Sequence, residues 1–161
     1  MKKSIFCTLA LAIVLLGACK SKQQVTTAAY HDYKVECLGK GMDGTQTLKV
    51  WASGSNRQDA IEQAKKKAVY ELTFTGIHAG SSECSAYPIV DEANARKKYE
   101  EYFDRFFTEG GAYRKYVSID NQKKGAMDKL QGDGRQTFGI IVKVDCSALR
   151  KRYESDNIIV K

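Results

Sequence analysis

The sequence predicts an α+β domain: a mainly antiparallel sheet of two hairpins with two long helices packed on one face. Three observations carry this. Residues 47–53 alternate, with Leu48, Val50 and Ala52 on one side and Thr47, Lys49, Trp51 and Ser53 on the other, the period of a half-buried strand. Gln136 to Asp145 repeats the pattern with Phe138, Ile140, Val142 and Val144 on one face. Two helix-period stripes separate these strands, and helices segregated to one face of an antiparallel sheet form a stable two-layer solution.

The elements follow in order. Tyr33 to Leu38 reads as the first strand, and Gly39, Gly41 and Gly44 around Asp43 supply the turn chemistry that joins it to the second. Ser55-Asn56-Arg57-Gln58 has the form of a capping box, with Ser55 as N-cap and Gln58 at N3. A helix is expected from about Arg57 to Phe74, with Ile61, Ala64, Ala68 and Leu72 on its apolar stripe. Lys65, Lys66 and Lys67 lie mainly off that stripe and read as a solvated face.

Residues 76–90 show no period and hold Gly80, Cys84 and Pro88, the only proline. A loop of that length invites a disulfide or a functional role. A second helix is expected from Asp91 to about Thr108, ending before Gly110-Gly111. Tyr99, Tyr102, Phe103, Phe106 and Phe107 recur at helical spacing and form one wide aromatic face. That face is either the main core contribution or a docking face. Tyr113 to Ile119 is the expected third strand, followed by a polar turn over Asn121 to Gly125. Ala126 to Gln131 and Gln136 to Asp145 flank Gly132-Asp133-Gly134, a hairpin signal. Ser147 is placed to cap a short helix through Tyr153. The apolar Ile158-Ile159-Val160 is expected to dock as an edge strand or to meet a partner.

The N-terminus has a separate character. Met1-Lys2-Lys3 precedes an apolar run from Ile5 to Leu16, followed by Gly17-Ala18-Cys19. A basic start, an apolar centre and small residues before a cleavage point make a signal peptide over residues 1–18. The run is too short to span a bilayer, which takes roughly 20 apolar residues. Leu16-Gly17-Ala18-Cys19 resembles the lipobox of bacterial lipoproteins. That resemblance implies diacylglycerol transfer to the Cys19 thiol, cleavage before it, and acylation of the new amino group. Stable anchoring takes more than one acyl chain, a condition such a cysteine meets. Lys20 at the following position resembles the outer-membrane sorting pattern. The absence of acidic residues over Ser21 to Gln24 favours the periplasmic face over the cell surface. Residues 19–32 then read as a lipidated tether, and residues 33–161 as one domain.

Composition narrows the function classes. The net charge is +7, with 26 basic and 19 acidic residues, and Lys2 and Lys3 leave with the leader. A charge of this size suits solubility and contact with an anionic polymer or lipid; nucleic acid is not an expected partner for an exported, anchored chain. Of five cysteines, Cys7 lies in the leader and Cys19 carries the lipid. Cys37, Cys84 and Cys146 remain in a disulfide-permissive compartment. A loop cysteine has the freedom to meet the strict distance requirement of a bridge, so Cys37–Cys84 is the preferred pair. Cys37–Cys146 and three reduced thiols are the alternatives, and Cys146 is otherwise free.

Chemistry-bearing patterns are sparse. His31 lies beside the tether. His78 stands six residues before Cys84, a pairing that could activate a thiol only if Cys84 were free. No zinc spacing, calcium loop, facing carboxylate pair or phosphate cradle is present. No metal ligand, catalytic residue or cofactor is therefore assigned. Trp51 falls on the polar face of its strand, either as a binding platform or as an aromatic covered by a neighbouring element.

The stretch Trp51-Ala52-Ser53-Gly54-Ser55-Asn56-Arg57-Gln58-Asp59-Ala60-Ile61-Glu62-Gln63-Ala64, with Ala68 beyond it, resembles the N-terminal domain of FlgT and related small outer-membrane lipoproteins. The resemblance implies structural or assembly roles at the envelope and no catalytic residues. The expected function is a non-enzymatic envelope lipoprotein that binds or scaffolds another envelope component, a protein partner first. Binding of peptidoglycan, a glycan or a small ligand is second, and a thiol-dependent enzyme third. The candidate surfaces are Trp51, the 76–90 loop and the C-terminal tail.

Overall fold

The computed structural model describes residues 34–120, 129–131 and 136–160. The expected signal peptide, Cys19, the expected tether with His31, Tyr33, the expected turn over 121–125 and Gly132-Asp133-Gly134 lie outside the described residues. The described elements are β1 (Val35–Lys40), β2 (Thr45–Gly54), α1 (Arg57–Phe74), α2 (Ala95–Lys98), α3 (Glu100–Phe106), a 3-10 turn (Ala112–Tyr116), β3 (Val117–Ile119), β4 (Lys129–Gln131), β5 (Gln136–Asp145) and α4 (Cys146–Ser155). The fold is α+β.

The sheet runs β1-β2-β5-β3, with β4 also paired to β5, and every pairing of strands is antiparallel. β2 and β5 pair along their whole lengths, from Thr45↔Asp145 to Gly54↔Gln136. Leu48, Val50, Ala52, Phe138, Ile140, Val142 and Val144 all join one buried core. Two hairpins are present, β1–β2 and β4–β5. In the first, Asp43 Oδ1 accepts from the Thr45 N–H (3.0 Å) and hydroxyl (2.7 Å). A bulge between Cys37 and Gly39 shifts the β1 register.

α1 covers β2 and β5 and buries the expected Ile61, Ala64, Ala68 and Leu72 together with Val69. Its cap is displaced by one residue from expectation. Asn56, not Ser55, is the N-cap and accepts from the Asp59 N–H (3.0 Å). Asp59 in turn accepts from the Ser55 N–H and hydroxyl, so the reciprocal capping logic is kept with different residues. The three lysines are half-buried rather than fully solvated; Lys65 pairs with Glu62 at 3.0 Å and Lys67 with Glu71 at 3.8 Å.

The second long helix is not continuous. It begins at Ala95 rather than Asp91: Asn94 is left-handed (φ +63°), a conformation a right-handed helix cannot include, and the Ala95 N–H closes a turn on the Glu92 carbonyl (3.1 Å). Tyr99 then departs from helical geometry (φ −114°, ψ 37°) and separates α2 from α3. The aromatic face itself is core, the first of the two readings its spacing allowed. Phe103 contacts Phe74 edge-on at a centroid distance of 4.7 Å, and Phe103 and Phe106 both contact Tyr153 of α4.

The first half of the expected third strand is the 3-10 turn. Its eclipsed i, i+3 spacing puts both Tyr113 and Tyr116 on the aromatic cluster, stacked against Phe107 and Phe106 respectively.

α4 starts at Cys146 with Asp145 as its cap, the Asp145 carboxylate accepting from the Ala148 N–H (2.8 Å). Ser147 does not cap it. The tail is not an edge strand. Asn157 adopts φ +57°, and the Ile158 and Asn157 N–H groups return to the Tyr153 and Glu154 carbonyls. This is a Schellman stop with its characteristic apolar contact, since both Tyr153 and Ile158 are buried. Tyr153 is 0 % exposed. The Thr73 hydroxyl donates to the Val69 carbonyl (2.7 Å), so the Tyr153 hydroxyl donates to Thr73 Oγ1 (2.9 Å). Nearby, the Tyr102 hydroxyl (2.6 Å) and Arg152 Nε (2.5 Å) both donate to Asp156 Oδ2. Burial opposes charge on Asp156, yet these two bonds hold its carboxyl below the ordinary value.

Tyr153→Phe removes one neutral hydrogen bond and is expected to cost about 1 kcal/mol, whereas Tyr153→Ala opens the aromatic cluster and should cost about 3–5 kcal/mol; urea unfolding separates the two. A depressed carboxylate stabilises the fold above its unfolded value and loses that contribution as pH falls through the folded value. Asp156→Asn should therefore flatten the acid-side decline in stability followed by circular dichroism.

Candidate functional site

The 76–90 loop is irregular in sequence but tightly held. Cys37 and Cys84 form a disulfide with a Cα–Cα distance of 5.9 Å. Beside it, the Cys37 N–H donates to the Ala79 carbonyl (2.8 Å) and the Ser81 N–H to the Cys37 carbonyl (2.9 Å). The loop thus lays a short parallel bridge along the outer edge of β1 and covers hydrogen-bonding groups that an edge strand would otherwise present. Gly80 makes this approach possible. A Cβ there would sit 2.3 Å from the Cys37 carbonyl oxygen, and its φ is +92°. The Glu83 carboxylate accepts from the Lys40 N–H, and the Ile77 N–H donates to the Ser85 carbonyl.

Among the candidate surfaces, the structure brings two together. The end of the loop and the C-terminal tail line one open cleft of about 1170 Å³. Pro88 and Ile89 come from the loop, Ile158, Ile159 and Val160 from the tail, and Tyr99 from the break between α2 and α3. Ile89 and Ile158 are buried in the floor, while Val160 is 95 % exposed at the rim. Close by in the chain, Tyr87 is 82 % exposed. The charged rim consists of Asp91, Glu92 and Lys98 on one wall and Arg150, Lys151 and Glu154 of α4 on the other. Lys98 Nζ lies 2.7 Å from Glu92 Oε1 and 4.9 Å from the Tyr99 ring centroid. The Glu92 contact pushes the Lys98 ammonium above its ordinary value, so that charge is fixed at neutral pH. An apolar floor with a mixed-sign rim is the make-up that protein–protein interfaces share.

The α4 wall was missed in the sequence. Its signal was present as the basic run Arg150-Lys151-Arg152 in a short helix, but no local pattern places that helix beside the loop.

Trp51 stands apart from the cleft, on the sheet face opposite the helices. The alternation put it there correctly, and its ring is covered, at 8 % exposed. Trp51 pairs across the ladder with Gly139. A Cβ on Gly139 would lie 2.8 Å from Lys49 Cε and 3.4 Å from the indole Cζ2 and Cη2, so Lys49 and the indole together fill the space that the glycine leaves. Lys49 Nζ sits 4.7 Å from the ring centroid. A ring engaged in this way is not a free stacking platform.

Cys84 is committed to its disulfide, so it offers no thiol to His78; that imidazole instead contacts the Thr75 carbonyl at 3.2 Å. Cys146 is the free cysteine of the domain. Burial, reinforced by the neighbouring Asp145 charge, pushes its thiol up to about 11, which keeps it protonated and unreactive at neutral pH. Among the described residues, no group of three or more His, Cys, Asp or Glu side chains is placed to hold a metal ion, and no helix is long and apolar enough to cross a membrane. No family model, no curated protein and no solved structure matches this chain.

Two outcomes follow for the thiols. Replacing Cys37 and Cys84 together with Ser should cost about 2–4 kcal/mol in a denaturation midpoint analysis. Alkylation of Cys146 by iodoacetamide, located by peptide mass mapping, should be slow at pH 7 and rise about tenfold per pH unit towards pH 11. A pH-independent rate would contradict the protected thiol.

Proposed function

We propose that this chain is a non-enzymatic, lipid-anchored protein of the bacterial outer membrane that binds or scaffolds another envelope component, a protein first, through the cleft between the 88–99 segment and α4. The observation that carries this reading is the convergence of the loop end and the tail on one cleft with an exposed Val160. Anchoring rests on Leu16-Gly17-Ala18-Cys19. The disulfide supports an oxidising compartment, and Lys20 with the non-acidic residues after it supports the periplasmic face. Acyl chains on Cys19 would hold the domain within a tether's length of the bilayer, so its task depends on what the cleft meets there.

The reading is tested in two steps. Cys19→Ala should move the chain from the membrane to the soluble fraction and abolish its acyl labelling; retention in the membrane with unchanged labelling would remove the anchor. Crosslinking in intact cells should then capture a partner through the cleft. Because Ile158 belongs to the core, deletion of the whole tail would unfold α4. Val160→Asp leaves the core intact and should lower capture at least tenfold. Equal capture by the wild type and Val160→Asp would place the partner elsewhere.

A further inference from the structure

We infer that the occupant of the α4 wall of this cleft is a second copy of the same chain, docked about a two-fold axis so that the two α4 helices run antiparallel. The inference rests on reading the cleft as a docking surface and names its partner.

The argument is one of charge and symmetry. Without Lys2 and Lys3 the chain keeps 26 − 2 = 24 basic against 19 acidic residues, a net charge of +5, so two copies repel over most of their surfaces. The cleft rim differs in carrying both signs, with Glu154 standing on α4 beside Arg150 and Lys151. Their order on α4 matters more. Arg150 and Lys151 are exposed one turn before the half-buried Glu154. Among the described residues none of these three is in an ion pair, whereas Arg152 is already held by Asp156. Positions three and four apart lie on one helix face. A two-fold axis near residue 152 therefore sets Arg150 of each copy opposite Glu154 of the other, and Lys151 beside the same carboxylate.

The arrangement is self-complementary, as an isologous contact requires. A parallel arrangement would instead put Arg150 against Arg150. Val160, 95 % exposed at the rim, supplies apolar area at the edge of the contact. Two copies anchored in one leaflet would also meet at an effective concentration well above that in bulk, so a contact of modest area suffices.

Charge reversal at Arg150, Lys151 and Glu154, none of them in the buried core, tests this. The full-length chain is purified in mild detergent and its protein mass measured by light scattering, with circular dichroism as the folding control. The wild type should show the mass of two chains. A variant with Arg150→Glu and Lys151→Glu should fall to one chain, and Glu154→Lys should do the same, each raising the dimer dissociation constant on the order of tenfold or more. Mixing the two variants in equal amounts should restore the two-chain mass, because each then meets its complement. A wild type that remains a single chain at about 100 µM, where a weak specific contact would be populated, overturns the proposal. So does a mixture that fails to associate, or a variant that still dimerises alone. If the wild type is monomeric while crosslinking captures a different protein in a Val160-dependent manner, the docking surface stands and only its occupant is wrong; failure of both removes the docking surface too.

Discussion

The ten-residue ladder between β2 and β5 is the constraint on which the rest of the molecule depends. It runs in unbroken register from Thr45↔Asp145 to Gly54↔Gln136. Because side chains alternate with a period of two, that register gathers Leu48, Val50, Ala52, Phe138, Ile140, Val142 and Val144 on a single face. A one-residue slip would turn all of them to the other side. An apolar face of this kind must be covered, and α1 does so with small residues at Ala60, Ala64 and Ala68, which let it lie close to the strands. The opposite face bears the ladder's one conspicuous gap, at Gly139, and Lys49 and the cross-strand Trp51 together fill it. A residue that looks like a binding platform in isolation is there part of the sheet.

Once α1 is fixed on the ladder, the aromatic residues have one place to go. Tyr70 and Phe74 at the end of α1 meet Phe103 of α3 and Phe107 just after it, and Tyr153 brings α4 into the same cluster. Such edge-on and offset contacts contribute about 0.5–1.5 kcal/mol each beyond their buried area. The 3-10 turn at Ala112–Tyr116 brings Tyr113 and Tyr116 onto the same cluster. Polar groups at the periphery are satisfied rather than stranded: Tyr153 donates to Thr73, and Asp156 receives both Tyr102 and Arg152. The end of α4 is thereby closed, and the tail emerges beside the loop that carries Ile89.

The candidate site arises from that closure. The disulfide and the Cys37–Gly80 bridge hold the loop's first half to β1, and the Ile89 and Val90 hydrogen bonds hold its second half to α1. Pro88 and Ile89 thus form a fixed wall. The loop and the tail could each be singled out from sequence, one by its length and cysteine, the other by its apolar residues. Their meeting could not, because nearly seventy positions separate them and no periodicity spans that distance. The α4 wall escaped notice for the same reason: a short basic helix looks like solvated surface until its neighbours are known.

Local chemistry and period by themselves determined the fold class, the two hairpins, the span of α1 with its buried stripe, and the sheet face on which Trp51 lies. These properties depend on contacts within a few residues or on a simple alternation, and such information is written in the chain order. The disulfide partner was also within reach, because only a loop cysteine had the freedom to approach a strand. The tertiary structure decided what competition decides. It moved the cap of α1 from Ser55 to Asn56, delayed the second helix to Ala95 behind a left-handed Asn94, and broke it at Tyr99. It turned half of an expected strand into a 3-10 turn to place two tyrosines, and made the tail a helix stop instead of a strand. In each case two locally acceptable conformations differed by little, and the buried area and hydrogen bonds supplied by distant residues chose between them.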